Sequence, residues 1–499
     1  MSRLADGGER FAPLPVGGTA TARARAFAVT APFDAPRAAQ QLGGDAYEYA
    51  ELYRAFRPLL VRLGDVIEVD RPESRLDYTL QQARERGLAV THISFLPLQR
   101  VYLSSMAANV AVLCWGLADV PNADLDNDAR NNWVRIADRL SIILCVNEHT
   151  RAAFVRAGVR TPLRVVPAPV PDAFFDLPPH SPAAQPRLDG PMYVCPGPIA
   201  RTVAPDPWVG PTRRPGGAAE RVAWRAADWA GTHYARLLQP RTPAWIRRGL
   251  RAGARAARAA SREYRTPPAP PSNAGSVMLS GVVYASVVDP ADRRTNWEDL
   301  LSAFLIALRA AEDATLVVAL IPPLPLATVG VIDLLDHHHA LGVDHRCKLV
   351  FVTQTPTEGQ MLALARCATY ALSASRAEGA CLPIQHLLAA ARPAVAPQHS
   401  ALGDYLDAEV GFPVASHAEP THWATDPSRR LTTTWNRIVW QSLHDQIQAS
   451  YRVATAERAR YEQMARRARE RMRHIADAEG VWSRLRDALD VDDRSAAVR

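Results

Sequence analysis

Lysine is almost absent from this chain of 499 residues, because Lys348 is the one lysine among 58 basic residues and the others are arginine. The net charge is +7, and the chain also holds 40 prolines. Since arginine is favoured throughout, a local excess of it says less about function than usual. Aromatic residues make up 7%, and they do not alternate with basic residues as in surfaces that bind single-stranded nucleic acid. We therefore expect no nucleic acid partner.

Long apolar runs and paired cysteines are missing too. No run reaches the roughly eighteen apolar residues that span a bilayer. The first residues lack the apolar core of a secretion signal, which predicts a cytoplasmic protein with a disordered segment at 1–24. The six cysteines form no C-x-x-C pair and predict reduced, buried thiols. Consecutive histidines at 337–339 point in different directions on a helix, so we expect no metal, and no other cofactor is indicated.

Two segments alternate strand-like apolar runs with helical patterns, and they cover residues 25–177 and 276–426. This alternation is typical of parallel βαβ units, and the chain is too long for one compact core. Residues 178–275 are rich in proline and arginine and predict an insertion, whereas 427–499 show a charged helical pattern. The sequence thus predicts an α/β protein with two Rossmann-like lobes facing across a cleft, a basic insertion between them and a C-terminal helical segment.

The insertion contains arginines at three- and four-residue spacing within 245–265. On a helix they would share one face, and such a basic helix would contact an anionic membrane peripherally, where a lipid-linked acceptor lies. The opposite face offers alanine and glycine rather than large apolar residues. That composition favours the alternative, a solvated helix packed on the protein.

The most informative segment runs from Cys367 to Pro383. It indicates a buried strand that ends in small polar residues, a tight turn at Glu378-Gly379 and a helix that begins at Leu382-Pro383. Proline suits the first turn of a helix, where its missing N–H would have no partner. A helix N-terminus at the carboxyl edge of a parallel sheet presents free N–H groups and a partial positive charge, which suit a diphosphate.

From Ser375 the chain reads S-R-A-E-G-A-C-L-P-I-Q-H-L-L-A-A-A-R-P-A-V. This run resembles the donor-site signature of the large retaining GT-B glycosyltransferase family, in particular its surface-polysaccharide members. The matching residues are Glu378, Gly379, Leu382, Pro383, Ala389 and Pro393. The resemblance implies that Glu378 contacts the donor sugar near the reacting carbon. It also implies that backbone N–H groups of Gly379, Ala380, Cys381 and Leu382 hold the diphosphate.

Two positions depart from that signature. His386 stands where the family has a second glutamate that binds the nucleotide ribose, and Cys381 stands where it has a second glycine. A histidine can hydrogen-bond one ribose hydroxyl but cannot accept from two, as a carboxylate does. The alternative to donor binding is that Glu378 caps the helix and that His386 is a solvated helix residue.

A second match lies upstream, in Asp292-Arg293-Arg294-Thr295-Asn296-Trp297. It resembles the family's D-x-R-K-N-W loop, whose basic residues contact the donor phosphates. Because Thr295 takes the lysine position, the resemblance leaves Arg293 or Arg294 as the cation and adds Asn296 to the donor site. The alternative is a surface turn in which Asn296 caps the following helix.

The first α/β segment matches more weakly. Trp115 to Pro121 resembles a W-E-x-x-x-I-P segment of some family members, with Gly116 in place of the glutamate. We assign Trp115 and Asp119 to the acceptor side on this basis. His92, at the start of a strand-like run, joins them as a candidate cleft residue, and a structural role is its alternative.

The resemblance implies a glycosyltransferase that moves a sugar, with retention of configuration, from a nucleotide-diphosphate sugar to a glycan or glycolipid acceptor. Two alternatives stay open. One is a catalytically degenerate GT-B protein that serves as a binding or assembly module, because positions 295, 381 and 386 all belong to the donor site. The other is a GT-B phosphorylase or epimerase, which would carry a different set of acid and base residues.

Overall fold

The structure is a computed structural model that describes residues 24–33, 44–125, 128–181, 186–195, 274–321, 326–354, 356–423, 426 and 429–496. The predicted disordered start, apart from its last residue, and the predicted basic helix at 245–265 lie outside the described residues. The chain divides into two compact units. One comprises residues 1–197 and 276–499, and the other comprises 198–275.

The N-terminal lobe is built on six parallel strands in the order β2-β1-β3-β4-β5-β6. They are β1 (Arg25–Thr30), β2 (Asp65–Glu68), β3 (Ala89–Ser94), β4 (Ala108–Leu113), β5 (Ile142–Cys145) and β6 (Leu163–Val165). The helices are α1 (Gly44–Leu63), α2 (Pro72–Glu85), α3 (Trp133–Ala137), α4 (Glu148–Arg156) and α5 (Asp172–Phe175). The central strands are buried apolar runs because helices cover both faces of a parallel sheet.

The C-terminal lobe holds an eight-stranded sheet in the order β14-β13-β12-β9-β10-β11-β7-β8. Its strands are β7 (Arg187–Cys195), β8 (Ala274–Met278), β9 (Val282–Val288), β10 (Ala314–Leu320), β11 (Lys348–Val352), β12 (Tyr370–Leu372), β13 (Ala394–Pro397) and β14 (Gly411–Val414). Its helices are α6 (Trp297–Leu308), α7 (Leu326–Leu341), α8 (Glu358–Cys367) and α9 (Leu382–Ala389). The strand order reverses between β9 and β12. In a parallel sheet, such a switch point leaves a crevice at the carboxyl ends of the strands.

One predicted boundary is wrong. Residues 187–195 were assigned to the insertion at 178–275, yet they form β7, which pairs antiparallel with β11. The chain therefore enters the C-terminal sheet before the segment 198–275 and returns through β8. Proline at both ends of the segment marked a change of composition, but β7 alternates exposed and buried residues too irregularly to be recognised from sequence.

The predicted helical segment at 427–499 is confirmed except at its start. It begins with strand β16 (Thr432–Ile438), which pairs with β15 (Ser416–His422) in a separate hairpin. Helices α10 (Trp440–Ala456), α11 (Arg458–Ala476) and α12 (Ala478–Ala496) follow. Helix α10 lies on the C-terminal sheet, where the Tyr284 and Tyr370 hydroxyls bond the Ser450 side chain and carbonyl at 2.8 and 2.9 Å. Helix α12 instead contributes Val481 and Leu485 to the N-terminal core.

Candidate active site

A cleft opens at the switch point of the C-terminal sheet and encloses about 1030 Å³ of empty space, its mouth included. The loops after β9 and β12 and the start of α9 form one wall. Helix α1 of the N-terminal lobe forms the other, through Tyr47, Glu48 and Glu51. Of the residues predicted for the donor site, the cleft wall includes Arg294, Glu378, Cys381, Leu382 and His386.

The α9 N-terminus is shaped by an unusual residue. Cys381 is the N-cap with φ 55° and ψ 49°, a left-handed conformation that glycine adopts at no steric cost. A side chain in this conformation costs about 1 kcal/mol. Its carbonyl oxygen accepts from the N–H groups of Ile384 and Gln385 at 3.1 and 3.3 Å, so the helix begins normally. Cysteine therefore preserves the backbone path that a glycine at this position would take.

Glu378 lies in the loop that leads into α9, half-buried beside the cleft. Its backbone N–H donates to Ser400 Oγ at 3.0 Å, which ties the loop to the next turn of the lobe. Burial, and then the negative charge of Glu48, raises the pKa of the Glu378 carboxyl to about 7. The hydrogen bond from Ser375 and the charge of Arg294 act in the opposite direction but are weaker. Near neutral pH, Glu378 is thus divided between its protonated and ionised forms.

The two arginines of the predicted phosphate loop differ. Arg294 lines the cleft, and its guanidinium holds the Asp292 carboxylate, with Nη2 and Oδ2 2.7 Å apart. Burial by itself would raise the pKa of Asp292. The charge and hydrogen bonds of Arg294 together have a larger effect, so the pKa of Asp292 is lowered. Arg293 is exposed and is not part of the cleft wall. The structure therefore singles out Arg294 as the cation of this site.

Asn296 begins α6 without capping it. It adopts a left-handed conformation, and its side chain makes no hydrogen bond to the helix backbone. Instead its Nδ2 donates to Ala374 O and to Asp299 Oδ2, both at 3.0 Å, while its Oδ1 accepts from Arg376. Asn296 thus braces the loop that precedes Glu378 from behind the cleft, so both its predicted donor contact and the cap are corrected.

His386 is not a solvated helix residue. Its ring stacks on Phe174 with centroids 4.4 Å apart, and burial lowers its pKa to about 4. It is therefore neutral at physiological pH. Its Nδ1 is buried and makes no hydrogen bond within the described part of the chain. Since His386 also lines the cleft, a hydroxyl from a bound ligand would find a neutral ring partner here.

The three residues predicted for the acceptor side lie elsewhere. His92 is fully buried in the N-terminal sheet, where Thr30 Oγ1 and Asn109 Oδ1 each lie 3.0 Å from a ring nitrogen. Trp115 Nε1 donates to the Asp119 carbonyl oxygen at 3.1 Å, and the Asp119 N–H donates to Thr433 Oγ1 at 3.0 Å. None of the three belongs to the described cleft wall. His92 is held within the N-terminal sheet, whereas Asp119, to which Trp115 is bonded, joins the N-terminal lobe to the β15–β16 hairpin.

The surroundings of Gly116 explain why this sequence has glycine where the similar W-E-x-x-x-I-P segment has glutamate. A Cβ at this position would lie 2.8 Å from the backbone nitrogen and carbonyl carbon of Glu378. Any side chain would therefore push the two lobes apart at the Glu378 loop. The N-terminal lobe packs directly on that loop here, and glycine is what allows it.

Residues of the N-terminal lobe that the sequence did not identify complete the site. Asn147 donates its side-chain N–H to the Gly379 carbonyl oxygen, and Glu48 Oε1 accepts from the Ala380 N–H at 2.8 Å. Asn147 lies just after the carboxyl end of β5, whereas Glu48 lies within α1, the helix that follows β1. For Asn147, its position at that edge of the sheet was the available signal. The cleft is acidic, since Glu48, Glu51, Asp289, Asp292 and Glu378 line it.

No group of three or more histidine, cysteine or acidic residues in the described part of the chain is placed to hold a metal ion. In the histidine-rich end of α7, His338 Nε2 instead lies 2.9 Å from His345 Nε2. None of the described helices is long and apolar enough to cross a membrane. All six cysteines are free thiols, and five of them are buried, whereas Cys195 is half-buried.

No protein-family model and no curated protein matches this sequence. Solved structures do match in fold. HepE from Anabaena, in complex with UDP and glucose, superposes with a TM-score of 0.50 at 13% identity, over 94% of this chain and 100% of that one. Sucrose-phosphate synthase from Thermosynechococcus elongatus gives 0.50 at 13%, over 95% and 100%. A glycosyltransferase from Rickettsia africae gives 0.50 at 9%, over 95% and 98%.

This chain has the GT-B fold. The predicted fold class is thereby confirmed. At 9–13% identity the likeness extends to the fold alone.

Proposed function

We propose that this protein is a glycosyltransferase that moves a sugar from a nucleotide-diphosphate sugar to a glycan or glycolipid acceptor. One observation carries the proposal. The Glu378 loop and the N-terminus of α9 lie at the switch-point cleft of a GT-B fold, facing the other lobe. The solved HepE structure of similar fold contains UDP and glucose, which supports a nucleotide-sugar ligand for this cleft.

The reaction breaks the bond between the anomeric carbon and the diphosphate, so negative charge grows on the leaving phosphate. Arg294 and the N–H groups at the start of α9 are the groups suited to stabilise that charge. Glu378 would hold the sugar through its hydroxyls, and His386 would hold a ribose hydroxyl. Retention of configuration is implied by the resemblance of the Glu378 run.

The acidity of the cleft bears on this assignment, because a diphosphate is repelled by ionised carboxylates. Two features reduce the repulsion. Asp292 is neutralised by Arg294, and the pKa of Glu378 lies near 7, so that part of the population carries no charge there. We therefore infer that donor binding takes up a proton and weakens as the pH rises above about 7.

The degenerate binding module is the main alternative. The structure supports the enzyme instead, since Cys381 keeps the backbone path of a glycine and His386 faces the cleft as a neutral ring. A phosphorylase or epimerase would need a further acid and base in the cleft. The acceptor, the cytoplasmic location, a peripheral membrane contact through 245–265 and independence of metal remain predictions.

A thermal-unfolding screen tests the proposal. A ligand at a hundred times its dissociation constant stabilises the native state by about 2.7 kcal/mol. We expect at least one nucleotide sugar to raise the melting temperature, with and without EDTA, and Arg294→Ala to reduce that rise. Arg293→Ala is the matched control and should keep it. Absence of stabilisation by every nucleotide sugar would refute the proposal.

A further inference from the structure

The peptide group between Gly379 and Ala380 is held at both ends by the N-terminal lobe. Its carbonyl oxygen accepts from Asn147 Nδ2, and its N–H donates to Glu48 Oε1 at 2.8 Å. Because a peptide group is planar, two bonds at opposite ends fix its orientation. This peptide joins Glu378-Gly379 to the start of α9, so its orientation sets that of the Glu378 side chain on one side and of the helix N-terminus on the other.

The surroundings of Asn147 and of Gly379 allow both N-terminal side chains to reach this peptide. Asn147 is the N-cap of α4, and its Oδ1 accepts from the Thr150 N–H at 2.8 Å, which directs its NH₂ group away from the helix. Glu48 lies early in α1 and fills the space in front of Gly379. A Cβ at position 379 would lie 3.0 Å from each of its carboxylate oxygens. The absence of a side chain at Gly379 is thus what allows Glu48 to reach the peptide.

Resting on the proposed function, we propose that Glu48 and Asn147 are positioning residues of the donor site, which clamp the 379–380 peptide from the N-terminal lobe. They contact the loop and not the reacting atoms. Glu48 also places a second carboxylate next to Glu378, which faces the charged and titratable groups Glu48, Asp292, Arg294, Cys381 and Tyr405. Removal of the Glu48 charge should let Glu378 ionise at lower pH.

Three variants distinguish a positioning role of Glu48 and Asn147 from a role in packing alone. Asn147→Asp keeps the helix cap, since aspartate caps as well as asparagine, but loses the donor to Gly379. Glu48→Ala loses the acceptor, whereas Glu48→Gln keeps an oxygen for the Ala380 N–H and loses only the charge. Glu73→Gln, which removes an exposed charge on α2, is the control. The readouts are kcat and KM for sugar transfer from about pH 5.5 to about pH 8.5, a range in which a nucleotide sugar does not titrate.

We expect Asn147→Asp and Glu48→Ala to lower kcat about tenfold or more, as befits the loss of a hydrogen bond to a charged or buried group. Glu48→Gln should keep most of the wild-type kcat. The part of its kcat–pH profile that reflects ionisation of Glu378 should move to lower pH. Glu73→Gln should match the wild type in both. Wild-type kcat in the first two variants, or an unmoved kcat–pH profile in Glu48→Gln, would overturn the clamp.

A second measurement needs no substrate. The wild type should lose stability as the pH rises through about 7, where Glu378 ionises, and Glu48→Gln should lose it at lower pH. If the wild type transfers no sugar but this shift is seen, the proposed function fails and the clamp stands. If transfer is seen without the shift, only the clamp fails.

Discussion

The two walls of the cleft present different chemical groups. The C-terminal wall is formed by loops and a helix N-terminus that offer backbone N–H groups, and its charged side chains are Asp289, Asp292, Arg294 and Glu378. The N-terminal lobe offers side chains, Glu48 and Asn147, which bond the backbone of the opposite wall, and it has a glycine at position 116 where the two lobes meet. Recognition chemistry therefore lies on one lobe, and much of its alignment depends on the other.

That division has a physical consequence. Backbone N–H groups at a helix start need no side chain, but a loop that presents them is free to reorient unless its carbonyls and amides are bonded. Here the bonds come across the cleft. Changes to the C-terminal wall should therefore affect ligand binding and chemistry directly, whereas changes to the N-terminal wall should act through the position of the Glu378 loop.

The largest effect is expected from Glu378→Gln. Replacement of the carboxylate that orients the sugar by an amide should lower the transfer rate by about a hundredfold or more. Stability should change in the opposite direction. The native pKa of Glu378 is about 7 against an ordinary 4.5. The native state therefore binds this proton more tightly, and its stability falls as the pH rises through 7.

Glu378→Gln has no carboxyl group to ionise at this position, so its stability does not fall for this reason. At pH 8 it should exceed the wild type by on the order of 3 kcal/mol in unfolding free energy, and below pH 4.5 the two should converge. Denaturant unfolding at both pH values measures this. Equal stability at pH 8 would show that Glu378 titrates normally.

Arg294→Ala should have the next largest effect. It removes the guanidinium that neutralises Asp292 and leaves that carboxylate uncompensated at the cleft wall. Donor affinity should fall at least about tenfold, since a charge-assisted hydrogen bond contributes about 1.5–3 kcal/mol. Calorimetric titration of the donor compares it with Arg293→Ala, the exposed neighbour. An equal loss in both variants would mean that bulk charge, not the Arg294 contact, attracts the donor.

Gly116→Ala tests the point at which the walls meet. Its Cβ would lie 2.8 Å from the Glu378 backbone, and overpacking of this kind costs about 1–3 kcal/mol. We expect a lower melting temperature and a lower transfer rate together. Gly359→Ala, in α8 with nothing within 4 Å of the added Cβ, is the control and should melt at or above the wild-type temperature. An unaffected Gly116→Ala would show that the walls separate freely at this point.

The smallest effect is expected from Cys381→Gly. Relief of the left-handed conformation should gain about 1 kcal/mol, and loss of a small buried side chain should offset much of it. Thermal unfolding should change little, and transfer should be retained. A large gain of activity would instead identify Cys381 as the reason for a weakened donor site.

The C-terminal wall was largely predictable because its residues form one continuous run. From Ser375 to His386 the strand end, the turn and the helix start follow each other in the chain, so local rules and a family resemblance both apply. Only finer details needed coordinates, such as the choice of Arg294 over Arg293. Asn296 was misassigned because its side chain turns back to Ala374, a contact across 78 positions that no local rule describes.

The N-terminal wall could not be predicted in the same way. Asn147 and Glu48 bond a peptide that lies 232 and 332 positions away, and nothing near them in the chain indicates that partner. His92 was misplaced for a related reason. Its strand carries polar residues into the interior, where neighbouring strands supply Thr30 and Asn109 as partners. A polar residue in a strand signals either a site or such a network, and only the neighbouring strands distinguish them.

The most direct test of the account is the rate at which the protein releases nucleoside diphosphate from its preferred nucleotide sugar when a glycan acceptor is added. We predict acceptor-dependent release and a glycosylated product with the wild type, and a rate lower by about a hundredfold or more with Glu378→Gln. Nucleotide-sugar binding by the wild type without any transfer, or equal rates for wild type and Glu378→Gln, would contradict it.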